Sequence, residues 1–576
     1  MRKVSNLKNL TIVILAIILP CILPAEELKL VSDGKPAAKI VLPDKPVKAE
    51  KLAAEELNEH IALITGARLP VIQEKNAGPG PNIYLGQTRK AAQHQLDPQK
   101  LKEQEYVIKF IPDGILIIGR DKVDHGTFRY RVSDKKSGLL HYDCRTWPDW
   151  WDEKGTLDAV YYFLKNYCGI RWFDYTDLGT DATQRKSLTV KRTDIKRQPS
   201  FFMRNVFTTR NPADYPAACL LWIKKSDNYK KYMQSAFATI ATKDPKLSSR
   251  SSRNLISNQV YAYLLRNGNG GTGFFHPNHS FYDYYARFWK KDKRFPSAFE
   301  SQEKEYFAQG YPADKNPPQL CYTNPELIDQ VCKDASNWFE KKPFGLYKCS
   351  SRGKNKWRQL QQIAADYYPL VPMDNRRYCK CPECRKWYKP YTGDTYAENK
   401  GMYSNYVFNF VNKVAKRIKK QYPDKKSGAL AYAMYMDVPD KVKLEDNIMV
   451  MFCPVLRNVY SESRQEADRE MLSRWAKTEV PLYLWLYYCF PAERSIRSGG
   501  KWLVFPGFFA HHLAESFKEY KKYNCKGMYF NGFGQEVEAF VTYELLSDAD
   551  RSADELLDEY FKRMYGPAGP ALRKLY

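Results

Sequence analysis

The chain of 576 residues is poor in acidic groups and in histidine, and after its first two dozen residues it has no apolar run long enough to cross a bilayer. Its 65 Asp and Glu stand against 91 Lys and Arg, and its eight histidines are scattered. A Gly-rich phosphate loop, a nucleophile elbow and an HExxH pair are all missing, so readings as a nucleotide enzyme, a serine hydrolase or a zincin find no support. No internal repeat and no low-complexity segment is visible. The Lys and Arg residues form no long tract and no nucleic-acid motif accompanies them, which argues against nucleic acid as a partner.

The one long apolar stretch opens the chain, "MRKVSNLKNLTIVILAIILPCILPAEE". Arg2, Lys3 and Lys8 form a basic head, Leu10 to Leu23 is apolar, and small Ala25 precedes two glutamates. That is the layout of a cleaved secretory signal over residues 1–25. A lipoprotein reading of Cys21 and a retained anchor stay open beside it, although Pro20 stands where a lipoprotein wants a small residue. The expectation is an exported protein, secreted, periplasmic or held at the cell surface, with no membrane span after cleavage. The formal charge of +26 suits an anionic glycan, uronate-bearing or sulfated, and equally serves solubility.

Length suggests more than one domain. "AAKIVLP", "NIYLGQ", "EYVIKFI" and "GILIIGR" read as short strands. "AEKLAAEELNEHIALITG" reads as a helix with Ala53, Leu57, Ile61 and Ile64 on one face and Gly66 at its end. "GTLDAVYYFLKNYCG" reads as a second helix, with Leu157, Val160, Tyr161 and Leu164 at helical spacing. These predict an α/β unit over 26–195, interrupted by a polar, Trp-rich insertion at 124–154. From 196 to 576, strand-like runs alternate with helical ones: "MRNVFTT", "GFFHP", "PFGLYKC", "YYPLVPM", "ALAYAMYM", "NIMVMFC", "PLYLWLYY" and "GMYFNG". "SNYVFNFVNKVAKRIKKQYP" is the clearest helix, with Val407, Phe410, Val411, Val414 and Ile418 aligned. The alternation predicts a (β/α)8 TIM-type barrel, and a doubly wound sheet would read similarly.

In a barrel the reactive groups follow the strands. Those positions offer His276 and His279, Asp374, Asp437, Trp485 and Tyr487, Asn531, Glu536 and Glu538. Paired carboxylates with aromatic platforms suit glycoside hydrolysis, which needs an acid and a base or nucleophile. Asp374 and Glu536 are the first catalytic pair, Asp437 and Glu538 the second; His276, His279, Trp485, Tyr487 and Asn531 are substrate contacts. Each has an ordinary alternative: turn residues for Asp374 and Asp437, loop contacts for the histidines, helix starts for the glutamates, core for the aromatics. Cys379, Cys381 and Cys384 crowd six positions beside Asp374. Disulfide or structural thiols is the favoured reading over zinc, because zinc wants four ligands and the nearest preceding histidine is far upstream. No metal and no cofactor is expected.

Several stretches carry a resemblance. "KLAAEELNEHIALITGARLPVI" and "GTLDAVYYFLKNYCGIRWF" look like the accessory domain that precedes the barrels of hexosaminidases and α-glucuronidases. "QLCYTNPEL", "PMDNRRYCKCPEC", "YVFNFVNKVAKRIKKQYPDKK" and "DADRSADELLDEYFKRMYGPAGPALRKLY" resemble the bacterial domain of unknown function 4838, from about residue 36 to the end. Part of that family is classed as glycoside hydrolase family 163, so the resemblance implies an endo-β-N-acetylglucosaminidase-like activity on glycans. An α-glucuronidase-like hydrolase and a glycan-binding relative without catalysis are the alternatives. "PSAFESQEKEYFAQ" departs from the family's Pro-Glu-aromatic pattern, and Asn531 stands where relatives often carry a glutamate.

Overall fold

The computed structural model describes residues 27–133, 140–175, 179–205, 249–293, 295–312, 315–345, 366–391, 399–454, 461–487, 508–530 and 536–576. It is a mixed α/β fold with two main sheets. The first sheet takes β2 (Lys39–Leu42), β3 (Val71–Gln73), β4 (Asn82–Leu85), β5 (Tyr106–Ile111), β6 (Gly114–Gly119) and β8 (Ile195–Arg197), in the spatial order β8-β5-β6-β4-β2-β3. Strands β2, β3, β4 and β6 run parallel; β5 pairs antiparallel with β6 and with β8. A smaller sheet holds β1 (Glu27–Ser32) against β7 (Leu188–Lys191).

Helices α1 (Lys48–Thr65) and α2 (Gly155–Asn166) pack on each other and on the first sheet. Their buried faces are the ones that helical spacing selects, Ala53, Leu57, Ile61 and Ile64 on α1 and Leu157, Val160, Tyr161 and Leu164 on α2. Gly66 ends α1 in the left-handed conformation, φ 75°, with its N–H on the Ala62 carbonyl. In the Trp-rich insertion, Arg131–Ser133 and Leu140–Tyr142 pair antiparallel. Trp147 and Trp150 of the insertion pack on Tyr261 of α3 (Ser249–Arg266), which leads toward the second sheet.

The second sheet comprises β9 (Met203–Asn205), β10 (Gly270–Gly271), β11 (Tyr367–Pro369), β12 (Lys426–Ala431), β13 (Ile448–Phe452), β14 (Leu482–Leu486) and β15 (Gly527–Phe530). Its order is β10-β9-β15-β14-β13-β12-β11. All but β10 are parallel, and the first parallel strand pairs with the last, Met203 opposite Gly527, as in a closing barrel. The described strands form a half-barrel, open between β10 and β11; among the described residues the eight-stranded barrel that the alternation suggested is not completed. Strand interiors such as "IMVMF" and "LYLWL" are apolar without alternation because helices cover one face and the barrel interior the other.

One expected strand is absent for a physical reason. "GFFHP" is irregular: its amides donate to side chains instead of a neighbouring strand, Phe275 N–H to Met203 Sδ (3.1 Å) and His276 N–H to the Tyr367 hydroxyl (2.9 Å). The segment fills the open side of the ring. Phe275 reaches inward against Tyr367 and Tyr483, with ring centroids at 4.9 and 4.6 Å. Gly428 on β12 leaves the room it needs: a Cβ there would lie 2.8 Å from Tyr367 and 2.9 Å from Phe275. "PFGLYKC" lies largely outside the described residues. The aligned apolar face of α6 is as expected, since α6 (Ser404–Gln421), after α4 (Pro325–Phe339) and the short α5 (Pro382–Arg385), buries Val407, Phe410, Val411, Val414 and Ile418. Farther along, α7 (Glu462–Ala476), α8 (Ala510–Lys522), α9 (Glu536–Ser547) and α10 (Ala553–Tyr565) follow, the last three packed together.

A buried ion pair joins the two halves. Arg266 at the end of α3 binds Glu56 of α1 through two hydrogen bonds, 2.8 and 2.9 Å, and the Tyr130 and Tyr142 hydroxyls complete the cluster. Burial pushes the Glu56 carboxyl up, but Arg266 outweighs it and holds its pKa at about 2. His60, one turn along, has both ring nitrogens engaged: Nδ1 with the Glu56 carbonyl (2.7 Å) and Nε2 with the Trp172 indole N–H (3.1 Å). Burial, helped by Arg266, lowers its pKa to about 4.

Acid should therefore unfold the protein in two stages. As pH falls from about 6.5 to about 4 the unfolded chain takes a proton on His60 that the folded chain refuses, at a cost of roughly 3 kcal/mol. Between about 4.5 and 2 the unfolded Glu56 protonates while the folded one stays ionised, and stability falls again. Urea unfolding midpoints measured across this range should drop accordingly, with a smaller first drop in His60→Gln, where buried His276 still contributes over the same range.

Candidate functional site

Residues 483, 485 and 487 lie on one face of β14 and its extension, because alternate residues of a strand share a side. Each meets a different partner. Tyr483 packs on Phe275 in the interior; Trp485 packs on His276 (4.6 Å) and edge-on to Tyr529 of β15 (4.8 Å); Tyr487 stacks on Trp485 (5.8 Å). His276 also meets Tyr529 edge-to-face at 4.1 Å. The result is an aromatic ladder rising through the half-barrel to the C-terminal ends of its strands. Trp485 is buried, so half-buried Tyr487 carries the outer ring of the stack.

His276 is the unusual group of this ladder. Burial pushes its pKa down to about 3, so its imidazole is neutral, and its buried Nε2 has no hydrogen-bond partner among the described residues. The buried Trp485 Nε1 has none either. Two buried polar groups, an imidazole nitrogen and an indole N–H donor, thus sit in adjoining rings beneath the strand ends.

Above them lies Asp374, more than half exposed. Its main-chain N–H donates to the Tyr282 hydroxyl (2.9 Å), and its Oδ1 accepts from the Tyr432 hydroxyl (3.3 Å). His279 Nε2 stands 3.6 Å from the same Oδ1, with Nδ1 bonded to the Pro372 carbonyl, which fixes the ring. The Tyr487 hydroxyl has its pKa raised, first by burial and then by Cys453, with Tyr432, Tyr529 and Asp374 adding to it. The backbone beneath is pinned by Gln319, whose amide donates to the Met373 carbonyl (2.6 Å) and accepts from the Met373 N–H (3.1 Å). Asp374, His276, His279, Trp485 and Tyr487 are thus gathered around one cleft, the two histidines reaching it from the irregular segment and not from a strand end. Such a site presents an aromatic face, a neutral imidazole and one carboxylate that accepts hydrogen bonds or a proton.

The second carboxylate pair does not join them. Asp437 binds Arg474 (3.1 Å) and caps its own turn through the Val438 N–H (2.8 Å). Glu538 is buried in α9, where its Oε1 accepts from the Tyr576 hydroxyl (2.5 Å) among the C-terminal helices. Their carboxylates are engaged in turn and helix packing, the ordinary alternative to catalysis. Glu536 opens α9, but its side chain and all of Asn531 lie outside the described residues. Tyr282, Tyr432 and Tyr529 belong to the cleft and were not singled out; among 42 tyrosines, nothing local marks them.

All nine described cysteines are free thiols, so the disulfide reading of Cys379, Cys381 and Cys384 gives way to the thiol one. The three converge with Cys321, which strand-end reasoning passed over because it lies 58 positions before Cys379 and far from the cluster in sequence.

A family model described as a domain of unknown function (DUF4838) matches residues 175–576, and the chain belongs to that family. No curated protein matches the sequence. Its structural neighbours are glycoside hydrolases. One is a family GH115 4-O-methyl-α-glucuronidase with specificity for decorated arabinogalactans, 12% identical with a TM-score of 0.45, covering 95% of this chain and 61% of that one. Another is a family 89 glycoside hydrolase from Clostridium perfringens in complex with PUGNAc, 10% identical with a TM-score of 0.38, covering 90% of this chain and 51% of that one. A third is a mutant β-hexosaminidase from Streptomyces plicatus in complex with GlcNAc, 11% identical with a TM-score of 0.40, covering 95% and 92%. This chain spans less than two thirds of the first two proteins. Among the described residues no helix is long and apolar enough to cross a membrane.

The neutrality of His276 is open to measurement. In imidazole-labelled protein, the ring-nitrogen signal that vanishes in His276→Asn should keep its neutral pattern from about pH 8 down to about pH 5. A midpoint near the ordinary value of 6.5 would show that the ring is solvated.

Proposed function

We propose that this member of the DUF4838 family is an exported glycan-acting hydrolase of N-acetylglucosamine-containing glycans, with Asp374 as one of its working carboxylates. The observation that carries the reading is the placement of Asp374. An exposed carboxylate, gripped by Tyr432, faced by His279 and backed by the ladder of Trp485 and Tyr487, sits where the parallel strands end. Sugar rings stack on aromatic faces, and an acetamido N–H needs an acceptor such as this carboxylate. Asp374 would orient that acetamido group or take a proton. Glu536, opening the helix after the last strand, is the second carboxylate of the reading.

The basic balance of the chain favours acidic glycans as a second substrate class, of the kind an α-glucuronidase takes. A different reading, glycan binding without hydrolysis, is favoured by one observation: among the described residues Asp374 is the one carboxylate in the aromatic cluster, and hydrolysis with two carboxyl groups wants them roughly 5 to 9 Å apart.

A panel of N-acetylglucosamine-containing and uronate-bearing glycans, read by product detection, separates these. On whichever glycan is cleaved, Asp374→Asn should cut kcat by about 10²- to 10⁴-fold with unfolding unchanged, because the side chain is exposed. Asp437→Asn should keep near-full activity, since that carboxylate serves Arg474. Retention of activity in Asp374→Asn would overturn the role given to Asp374, and binding with no product from any glycan would overturn the hydrolase assignment.

A further inference from the structure

We propose that Cys321, Cys379, Cys381 and Cys384 form a tetrahedral tetrathiolate site that holds a zinc ion. The four Sγ atoms all lie within 4.8 Å of one another, in a packed setting where Cys321, Cys379 and Cys384 are buried and Cys381 partly so. Zinc bonded to sulfur at about 2.3 Å places tetrahedral ligands about 3.8 Å apart. Cys321 Sγ stands 3.6 Å from Cys384 Sγ and 3.9 Å from Cys381 Sγ, on either side of that edge length. Two disulfides would draw the sulfurs together in pairs and separate the pairs. Here one sulfur is nearly equidistant from two others, which is the arrangement around a shared centre.

The surroundings suit thiolates. Main-chain N–H groups point at two of the sulfurs, Gln309 at Cys379 Sγ (3.3 Å) and Cys384 at Cys381 Sγ (3.4 Å). Thr323 Oγ1 is 3.0 Å and the Tyr406 hydroxyl oxygen 3.2 Å from Cys384 Sγ. The Tyr406 oxygen already accepts the Tyr322 N–H (3.0 Å), which leaves its proton to be donated to sulfur. Amide and hydroxyl donors of this kind tune metal-bound thiolates. Binding Zn²⁺ releases one proton from each of the four thiols and leaves a net charge of −2. Four soft thiolates without carboxylate or imidazole select zinc over magnesium or calcium. Four protein ligands leave no open position, so the site is structural.

What the metal would hold together is visible in the chain path. Cys321 belongs to the segment whose Gln319 pins Met373, and whose Pro318 carbonyl accepts from the Asn375 side chain (2.7 Å). Lys380 N–H binds the Gln309 carbonyl (3.0 Å), and the Tyr311 hydroxyl binds the Tyr378 carbonyl (2.8 Å). Both ends of the Asp374 loop are therefore fastened to residues 309–321, with the metal as the closing bond.

The test is metal content of the full chain, purified reduced and without chelator. About one zinc per chain is expected, with loss of most of it in Cys321→Ala and retention in Cys381→His, where imidazole replaces one ligand. Should Cys321→Ala fail to fold, cobalt decides: the unaltered chain reconstituted with Co²⁺ should show the intense visible absorption of a tetrahedral tetrathiolate, shifted in Cys381→His. Stoichiometric iron, two disulfides by mass spectrometry in the unaltered chain, or full zinc content in folded Cys321→Ala would each overturn the proposal.

Discussion

The pairing of β9 with β15 is the contact on which the cleft depends. It joins Met203 to Gly527 and Asn205 to Tyr529, more than 300 residues apart, and turns a row of parallel strands into an arc with an inside. Once closed, the arc sets Tyr529 beside Trp485 and gives Phe275 the sulfur of Met203 as a hydrogen-bond acceptor. Because loop-closure entropy grows only slowly with length, so distant a pairing costs little more than a nearer one. Every layer of the aromatic ladder rests on it.

The open side of the arc is as consequential as the closed one. Where a barrel would continue with strands, residues 272–279 run irregularly, and the amides of Phe275 and His276 are satisfied by the Met203 and Tyr367 side chains. Irregular backbone next to a rigid sheet is a common place for function, since it presents side chains at angles no strand allows. Here it delivers His276 into the ladder and His279 to Asp374. The same segment thus seals the interior and furnishes two of the cleft's polar groups.

The N-terminal sheet is bound to this assembly by buried polar contacts as well as by apolar packing. Glu56 and Arg266 pair with good geometry and both tyrosine hydroxyls engaged, the condition under which a buried ion pair is tolerated. Gln104 reinforces the joint, donating to Thr272 Oγ1 (2.6 Å) and to the Phe202 carbonyl (2.9 Å) at the foot of the irregular segment.

Local order was legible in the sequence. The buried faces of α1, α2 and α6, and six of the second sheet's strands, follow from periodicity and apolar runs, because helix and strand expose alternate or every third to fourth residue whatever the rest of the chain does. Asp374 was legible as a strand-end group for the same reason, whereas His276 and His279 were picked from a run that forms no strand. Tertiary structure alone decided the rest. It showed that "GFFHP" plugs a half-barrel, that Asp437 serves Arg474 and Glu538 serves Tyr576, and that Tyr282 and Tyr432 hold Asp374. It also brought Cys321 to three cysteines nearly sixty positions away. Periodicity reports only neighbours within a few residues, whereas a carboxylate's partner and a fourth thiol are chosen by where the chain returns in space.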